Sequence, residues 1–385
     1  MQYRDNLSVL GFGGMRFPDF AATEQLILRA VKLGINFFDT AYIYRNSEET
    51  LGRIIEKHGL RDKINLATKL PLLYCKKESD FEKYFARQLE RLRTEYIDYY
   101  FMHMLVDATQ WERLCGLGIL DFLAEKKAAG QIRRVGFSFH GSQNAFIELL
   151  DVYDWDFCMI QYNYRDEHYQ AGAAGLRAAA EKGLPVIIME PLLGGQLAVN
   201  LPKKAVELFA KAGGTGPALT PADWAFKWLW DQPKVTCVLS GMQSMPVLEA
   251  NAANAAASPA GCLSDEQKGV FDRVAEVFRE TEKVRCTGCN YCMPCPRGVN
   301  IPACFSAWNI NYAIGRITGL KRYAMSNGIT GGQFGGASRC NGCKKCEKHC
   351  PQGIKVAETL KVVRRKMEPF WMRWLMKAAR RFTGA

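Results

Sequence analysis

The segment Val186-Ile187-Ile188-Met189 is a near-continuous apolar run, with Pro185 before it and Glu190 after it. Such runs are typical of parallel strands that are buried on both faces. Seven further runs of this kind lie in the first 241 residues. The sequence therefore predicts eight strands, at 7–13, 36–40, 64–69, 97–103, 134–139, 157–161, 185–190 and 235–241.

Amphipathic stretches separate these strands, among them 48–58, 81–92, 110–128 and 173–182. A strand followed by a helix, repeated eight times in about 250 residues, indicates an α/β protein built as a (β/α)8 TIM barrel. The competing α/β fold is a doubly wound sheet, which would need a G-x-G-x-x-G turn leading directly into a helix. Gly11-Phe12-Gly13-Gly14 lacks that spacing, so we favour the barrel.

The overall composition is that of an ordinary globular chain, with 385 residues, 48% hydrophobic and 23% charged. It excludes a disordered or collagen-like protein. No apolar run reaches the roughly 18 residues of a membrane-spanning helix, and the N-terminus lacks the apolar core of a signal peptide. We therefore expect a cytoplasmic protein, in which the 14 cysteines stay reduced and do not form a disulfide framework.

Cysteine and charge are concentrated towards the C-terminus. Nine of the 14 cysteines lie between Cys286 and Cys350, and residues 284–385 carry 18 lysines and arginines against three glutamates. Two shifts in composition at one place predict a domain boundary. We divide the chain into a barrel (1–260), a linker and helix (261–284), a ferredoxin-like dicluster domain (285–355) and a basic amphipathic C-terminal helix (356–385).

The clustered cysteines form two runs, each ending in Cys-Pro. Three thiolates two residues apart can bind one 4Fe-4S cubane, and in two-cluster ferredoxins the cysteine before proline ligates the other cluster. The predicted ligands are Cys286, Cys289, Cys292 and Cys350 for cluster one, and Cys340, Cys343, Cys346 and Cys295 for cluster two. Two zinc sites are the alternative, since paired C-x2-C is also zinc spacing. The first run has two residues, not three, before its Cys-Pro, so Cys304 is a rival to Cys295.

Four ionisable residues fall at or just after the ends of neighbouring predicted strands. These are Asp39, Tyr44, Lys69 and His103. Chemistry in a (β/α)8 barrel takes place at the C-terminal ends of the strands. A lysine within a few ångströms favours the phenolate and so lowers the pKa of a tyrosine. We expect Tyr44 to be tuned in this way by Lys69.

The segment 36–48, NFFDTAYIYRNSE, resembles the D-T-A-x-x-Y-x-x-S-E motif of the aldo/keto reductases. Segments 67–69, 98–103, 136–138 and 161–163 are similar to further strands of that family. With the cysteine runs, the whole chain resembles aldo/keto reductases fused to a two-cluster 4Fe-4S domain. The resemblance implies Tyr44 as general acid/base, Lys69 and Asp39 as its tuning residues and His103 as the residue that orients the substrate.

The resemblance also implies a nicotinamide cofactor across the barrel mouth. Ser138 and Gln161 would hold its carboxamide, Met189 stands where many members stack an aromatic ring, and Asn251 would lie at the adenine end. Gly194, Gly195 and Gly241 would line the pyrophosphate. Basic residues that commonly bind a 2′-phosphate are absent at Gly241 and Val247. The sequence thus leaves NAD, NADP and a flavin open as two-electron carriers.

The predicted function is carbonyl–alcohol interconversion on a small molecule, with the clusters exchanging electrons with a flavoprotein or ferredoxin or serving a structural role. Two alternatives are an electron-transfer module without carbonyl chemistry and a catalytically silent regulatory barrel. We expect no nucleic-acid partner, because the basic residues follow the cysteines and no binding motif is present. The basic tail would pack on the protein, dock a redox partner or lie on a membrane surface, of which we favour the first.

Overall fold

The computed structural model describes residues 1–199, 201–213, 218–286, 288, 290–313, 315–328, 334–350 and 352–383. One predicted cluster ligand, Cys289, lies outside the described residues.

Eight parallel strands close into a barrel in the order β10-β3-β4-β5-β6-β7-β8-β9. A two-stranded antiparallel hairpin, β1 and β2, precedes it. The predicted (β/α)8 fold is confirmed. The strands are β1 Tyr3–Arg4, β2 Leu7–Ser8, β3 Leu10–Gly13, β4 Phe37–Asp39, β5 Asn65–Leu70, β6 Ile97–Leu105, β7 Ile132–Phe139, β8 Phe157–Gln161, β9 Val186–Met189 and β10 Cys237–Ser240.

Helices surround the barrel and continue into the C-terminal part of the chain. Those of the barrel are α1 Phe20–Lys32, α2 Ser47–His58, α3 Ser79–Leu92, α4 Ala108–Cys115, α5 Ile119–Ala128, α6 Gln143–Leu149, α7 Gly172–Glu181, α8 Gln196–Val199, α9 Lys203–Ala212, α10 Pro221–Trp230 and α11 Met245–Ala257. They are followed by α12 Asp265–Thr281, α13 Ile301–Ala313, α14 Arg316–Ser326, α15 Val356–Met367 and α16 Phe370–Thr383.

Aromatic rings fill the barrel interior. Phe157 packs edge-on against Tyr99 and Phe101, with ring centroids 4.9 and 4.6 Å apart. Gly136 on the neighbouring strand makes room for it, because a Cβ there would lie 2.4 Å from the carbonyl oxygen of Phe157. The interior is therefore a packed core, and space for a ligand is confined to the mouth.

Three predicted elements are divided in the structure. The helix predicted over 356–385 is two helices, α15 and α16, with Pro369 between them, because proline cannot continue the hydrogen-bond ladder of a helix. The helix predicted over 110–128 is two helices, α4 and α5, separated by a turn in which Gly118 has a φ of +89°. The strand predicted over 7–13 is also divided, because Leu7 and Ser8 pair with β1 and only Leu10–Gly13 joins the barrel. Periodicity alone detects neither a glycine turn inside an amphipathic run nor a change of pairing partner.

Helix α12 connects the barrel to the cysteine-rich part, and it begins with the predicted capping box of Ser264 and Gln267. A separate hydrophobic cluster then forms around Val299, Phe305, Tyr323 and Leu360, with several of the cysteines at its edge. Among the described helices, none combines the length and apolarity that crossing a membrane requires.

Candidate functional site

A buried ion pair lies at the C-terminal end of the barrel strands. Asp39 is the last residue of β4, and Lys69 lies one residue before the end of β5. Lys69 Nζ is 2.5 Å from Asp39 Oδ1 and also donates a hydrogen bond to the carbonyl oxygen of Thr40 at 2.6 Å. The side chains are only 1% and 5% exposed. The pair therefore places a cation in a dry pocket while keeping the local net charge near zero.

Tyr44 and His103 lie beside this pair. Lys69 Nζ is 5.1 Å from the centroid of the Tyr44 ring, and the Tyr44 and His103 rings are 6.1 Å apart at an angle of 83°. The backbone N–H of Tyr44 donates to the carbonyl oxygen of Ala41 at 2.9 Å, so a turn after β4 brings the phenol back over the mouth. All four residues expected from the sequence thus converge.

The protonation of Tyr44 differs from the sequence-based expectation. Burial, and then the carboxylates of Asp39 and Glu190, raise the pKa of Tyr44 above its usual value, whereas Lys69 was expected to lower it. The expectation that Lys69 lowers this pKa is therefore wrong, because the burial of the phenol and the nearby carboxylates dominate. A raised pKa means that the proton is retained to higher pH, so Tyr44 is a neutral phenol at neutral pH.

His103 is also neutral. Burial, and then the charge of Lys69, lower the pKa of His103 well below its usual value. A neutral imidazole carries one N–H donor and one acceptor, so it can donate to an oxygen without adding charge.

A buried polar network supports the ion pair from behind. Glu48 Oε1 accepts hydrogen bonds from Thr68 Oγ1 at 2.7 Å and Gln88 Nε2 at 2.9 Å, and its other oxygen pairs with Arg91 at 3.1 Å. Gln88 Nε2 also donates to the carbonyl oxygen of Lys69 at 3.1 Å. These bonds connect α2, α3 and β5 and so restrain the backbone that carries Lys69.

The residues expected to hold a carboxamide lie at the ends of β7 and β8. Ser138 is buried, and its Oγ accepts a hydrogen bond from the backbone N–H of Met104 at 2.9 Å. Gln161 Nε2 donates to Asp166 Oδ2 at 3.0 Å, so the orientation of its amide is already determined by the protein. Met189 ends β9 and packs at the edge of the barrel interior.

The remaining expected cofactor residues follow β9 and β10. Gly194 and Gly195 have φ angles of +64° and +94°, and a Cβ at Gly195 would meet no atom within 4 Å. Gly241 directly follows β10. Asn251 is buried in α11 and donates to Ser240 Oγ at 3.1 Å, a bond that ties the helix to the strand end. The role of these residues in binding a cofactor stays a prediction.

One residue at this mouth could not be expected from the sequence. Arg322, on α14 of the cysteine-rich part, pairs with Asp166 at 2.9 Å, both side chains being 8% exposed. Its guanidinium stacks on the Tyr169 ring at 3.6 Å and donates to Ser306 Oγ at 2.9 Å. Asp166 also accepts a hydrogen bond from Gln161. Arg322 of the C-terminal part is thus linked to Gln161 of the barrel through Asp166.

Three of the four cysteines predicted for cluster one lie around one cavity. Cys286, Cys292 and Cys350 line one apolar cavity, together with Ile301 and Phe305. Cys350 comes from the second cysteine run, so the structure brings the two runs together. The donor set is three thiols in apolar surroundings, which fits a 4Fe-4S cluster.

A second group contains the predicted ligands of cluster two. Cys295, Cys340 and Cys346 all pack against one hydrophobic cluster. Burial, and then Cys295, Glu347 and Cys340, raise the pKa of Cys346 to about 11. Cys343 is exposed. Cys304, the rival to Cys295, is fully buried, and its Sγ lies 3.7 Å from both Asn327 Oδ1 and the carbonyl oxygen of Gly335. The thiol of Cys304 thus already has polar contacts with the protein, and Cys295 stays the predicted ligand.

Comparison with known proteins identifies both parts of the chain. Residues 9–267 match the Aldo/keto reductase family, and residues 285–355 match the 4Fe-4S dicluster domain. The aldo-keto reductase yakc (NADP(+)) of Schizosaccharomyces pombe is 28% identical over 211 residues, which cover 50% of this chain and only 60% of that protein. An aldo-keto reductase of Mycolicibacterium vanbaalenii is 30% identical over 225 residues, 58% of this chain and 76% of that protein.

Solved structures show the same barrel. The holo form of aldo-keto reductase AKR11C1 from Bacillus halodurans superposes with a TM-score of 0.58 at 24% identity and covers 70% of this chain and 92% of its own. An aldo/keto reductase from Klebsiella pneumoniae, in complex with NADP and acetate, gives a TM-score of 0.57 at 24% identity with the same coverage. At this identity the likeness shows the fold.

Replacing Arg322 by Met is expected to destabilise the protein by about 3–5 kcal/mol, because it leaves the carboxylate of Asp166 buried without its cation. Thermal and urea unfolding under argon measure the loss. Arg87→Met, which breaks the exposed Arg87–Glu90 pair, is the matched control and should change stability by about 0.5 kcal/mol or less. If Asp166→Asn does not offset part of the loss when added to Arg322→Met, the two residues are not coupled as described.

Proposed function

Because the chain belongs to the aldo/keto reductase family, we propose that it is an oxidoreductase that interconverts a carbonyl compound and an alcohol by hydride transfer. The observation that carries the proposal is the convergence of Tyr44 and His103 over the buried Lys69–Asp39 pair. A proton donor, a neutral hydrogen-bond donor and a fixed cation at one barrel mouth are what reduction of a carbonyl needs.

NAD or NADP would supply the hydride when bound. Ser138 and Gln161 would hold its carboxamide, with Met189 against the ring, and the chain around Gly194, Gly195 and Gly241 would accommodate the pyrophosphate. Asn251 would border the adenine end. The fission-yeast relative carries NADP(+) in its name, and the Klebsiella structure contains NADP, so NADP is the first carrier to test.

The side chains of this chain would act in sequence on the carbonyl oxygen. His103 donates an N–H bond to that oxygen and orients it. As the carbon receives the hydride, charge develops on the oxygen, and Tyr44 Oη transfers its proton there, which yields the alcohol. Lys69 then stabilises the phenolate left on Tyr44, and Asp39 keeps Lys69 in place. The proton returns to Tyr44 from solvent.

The raised pKa of Tyr44 keeps its phenol protonated at neutral pH, which is the form that reduction of a carbonyl uses. A phenol that keeps its proton at neutral pH is ready to donate it, whereas oxidation of an alcohol would require the phenolate. The same raised pKa makes Tyr44 a weaker acid than a free tyrosine, so its proton would be transferred to an oxygen that has already gained charge from the hydride.

We propose that the two 4Fe-4S clusters relay electrons and that a flavoprotein or ferredoxin is their partner. Each cluster carries one electron, so two clusters can hold the pair that one hydride represents. Cluster one would use Cys286, Cys289, Cys292 and Cys350, and cluster two Cys340, Cys343, Cys346 and Cys295. The contact of Arg322 with Asp166 supports a functional link between the clusters' domain and the barrel mouth.

Tyr44→Phe is expected to lower the rate of carbonyl reduction by about 10²–10⁴-fold, because it removes the proton donor and leaves the ring in place. Anaerobic assays with NADPH and a panel of aldehydes and ketones measure the rate. Tyr42→Phe is the matched control, since Tyr42 packs on Tyr84 outside the site. Unchanged turnover in Tyr44→Phe would show that Tyr44 is not the acid. An electron-transfer module without carbonyl chemistry would then be the better-supported function.

Protein purified under argon should contain about eight irons per chain and absorb broadly near 400 nm. Cys350→Ser removes a predicted ligand of cluster one and should lower the iron content to about half. Cys304→Ser, which alters a buried thiol outside both sets, should retain the full content. Zinc in place of iron, or equal losses in the two variants, would contradict the assignment.

A further inference from the structure

The C-terminal helix α16 presents a large apolar surface to solvent. Phe370 is 79% exposed, Trp371 47%, Trp374 63% and Leu375 45%. At helical spacing these four residues share one face, which we name the aromatic face. Large side chains rarely cluster in this way on a free surface without a binding role.

The opposite face of α16 attaches the helix to the protein. Met372 and Met376, one helical turn apart, are buried in the same hydrophobic cluster as Val363 and Met367 of α15. The tail thus packs on its own protein, through these methionines and through contacts of α16 with the Leu72–Tyr74 turn of the barrel. The aromatic face is held outward by a packed helix and not by a loose terminus.

Basic side chains border the aromatic face. Lys361, Arg364, Arg365 and Arg373 line an open cleft of about 480 Å³ between α15 and α16, which Phe370 also borders. Glu368, the carboxylate that also lines this cleft, is buried and accepts hydrogen bonds from the Tyr323 hydroxyl and from the backbone N–H of Ser338. The exposed charge around the cleft is therefore strongly positive.

We propose that the aromatic face and its basic cleft bind the surface of an anionic membrane. Tryptophan and phenylalanine partition into the boundary between headgroups and acyl chains, and lysine and arginine beside them attract anionic headgroups. The cleft has the charge to take a lipid phosphate while Phe370 enters the bilayer next to it. The helix lies on the membrane and does not cross it.

This geometry favours a membrane over an acidic protein. Exposed tryptophans lie beside Lys361, Arg364, Arg365 and Arg373, and this combination of rings and cations is typical of helices that lie in the membrane interface. The bound protein would carry its cluster domain against the membrane, since α16 packs on α15 and on the core of that domain. The proposal does not depend on the carbonyl chemistry.

Co-sedimentation of the full, cluster-loaded protein with lipid vesicles under argon tests the proposal. We expect binding to vesicles of phosphatidylcholine with phosphatidylglycerol, weak binding to phosphatidylcholine alone, and a decrease with added salt. Trp371→Ser/Trp374→Ser should lower the partition coefficient by about tenfold or more, because it removes the two exposed rings that would enter the membrane. Arg364→Gln/Arg365→Gln should lower it by about fivefold for each charge.

The control variants remove an exposed apolar side chain, or two exposed positive charges, from the barrel. Val199→Ser alters a 79% exposed apolar residue of the barrel, and Lys32→Gln/Lys63→Gln removes two exposed charges there. Neither should change binding, and absorbance near 400 nm verifies that every variant keeps its clusters. Failure of the wild-type protein to bind anionic vesicles, or equal losses in the controls, overturns the proposal. Retention on immobilised polyaspartate without vesicle binding would also overturn it, in favour of an acidic protein.

Discussion

The buried ion pair of Lys69 and Asp39 is the interaction on which the barrel mouth depends. Removing two charges from water costs several kcal/mol for each ion, so such a pair seldom adds net stability. Here it is retained at 2.5 Å, at the point where Tyr44 and His103 meet. Glu48 is part of the sequence motif, and it accepts hydrogen bonds from Thr68 and Gln88. These bonds restrain β5, the strand that carries Lys69. We infer that the pair serves chemistry at a cost in stability.

The two parts of the chain meet through charged groups as well as apolar ones. Arg322 reaches Asp166, and Asp166 holds the amide of Gln161. A disturbance of the cluster domain that moved Arg322 would therefore alter a residue proposed to hold the nicotinamide. This offers a physical route by which the clusters' domain could influence the barrel without any electron passing between them.

Much of this structure could be predicted from the sequence because its signals are local. Apolar runs predict the eight strands, and their ends predict where Asp39, Lys69 and His103 lie, since parallel strands end at one mouth. Cysteine spacing predicts that Cys350 joins Cys286 and Cys292. The roles of these residues stay predictions, although the structure brings them together.

What could not be predicted depends on the environment of a residue and not on its neighbours in sequence. The pKa of Tyr44 rises because the phenol is buried beside the carboxylates of Asp39 and Glu190, and the motif shows neither its burial nor Glu190. Arg322 lies in an unremarkable basic helix, so nothing local indicates its ion pair. Trp371 and Trp374 point outward because Met372 and Met376, on the opposite face of α16, pack in the hydrophobic core.

The measurement that bears most directly on the ion pair is single-turnover carbonyl reduction by Lys69→Met, with cofactor affinity determined in parallel. Lys63→Met, at an exposed lysine just before the same strand, is the matched control. If the pair serves proton transfer from Tyr44, the rate constant falls by about 10²-fold or more while cofactor affinity changes by less than about threefold. A rate constant within about threefold of wild type, in a folded variant with full iron content, would contradict that role.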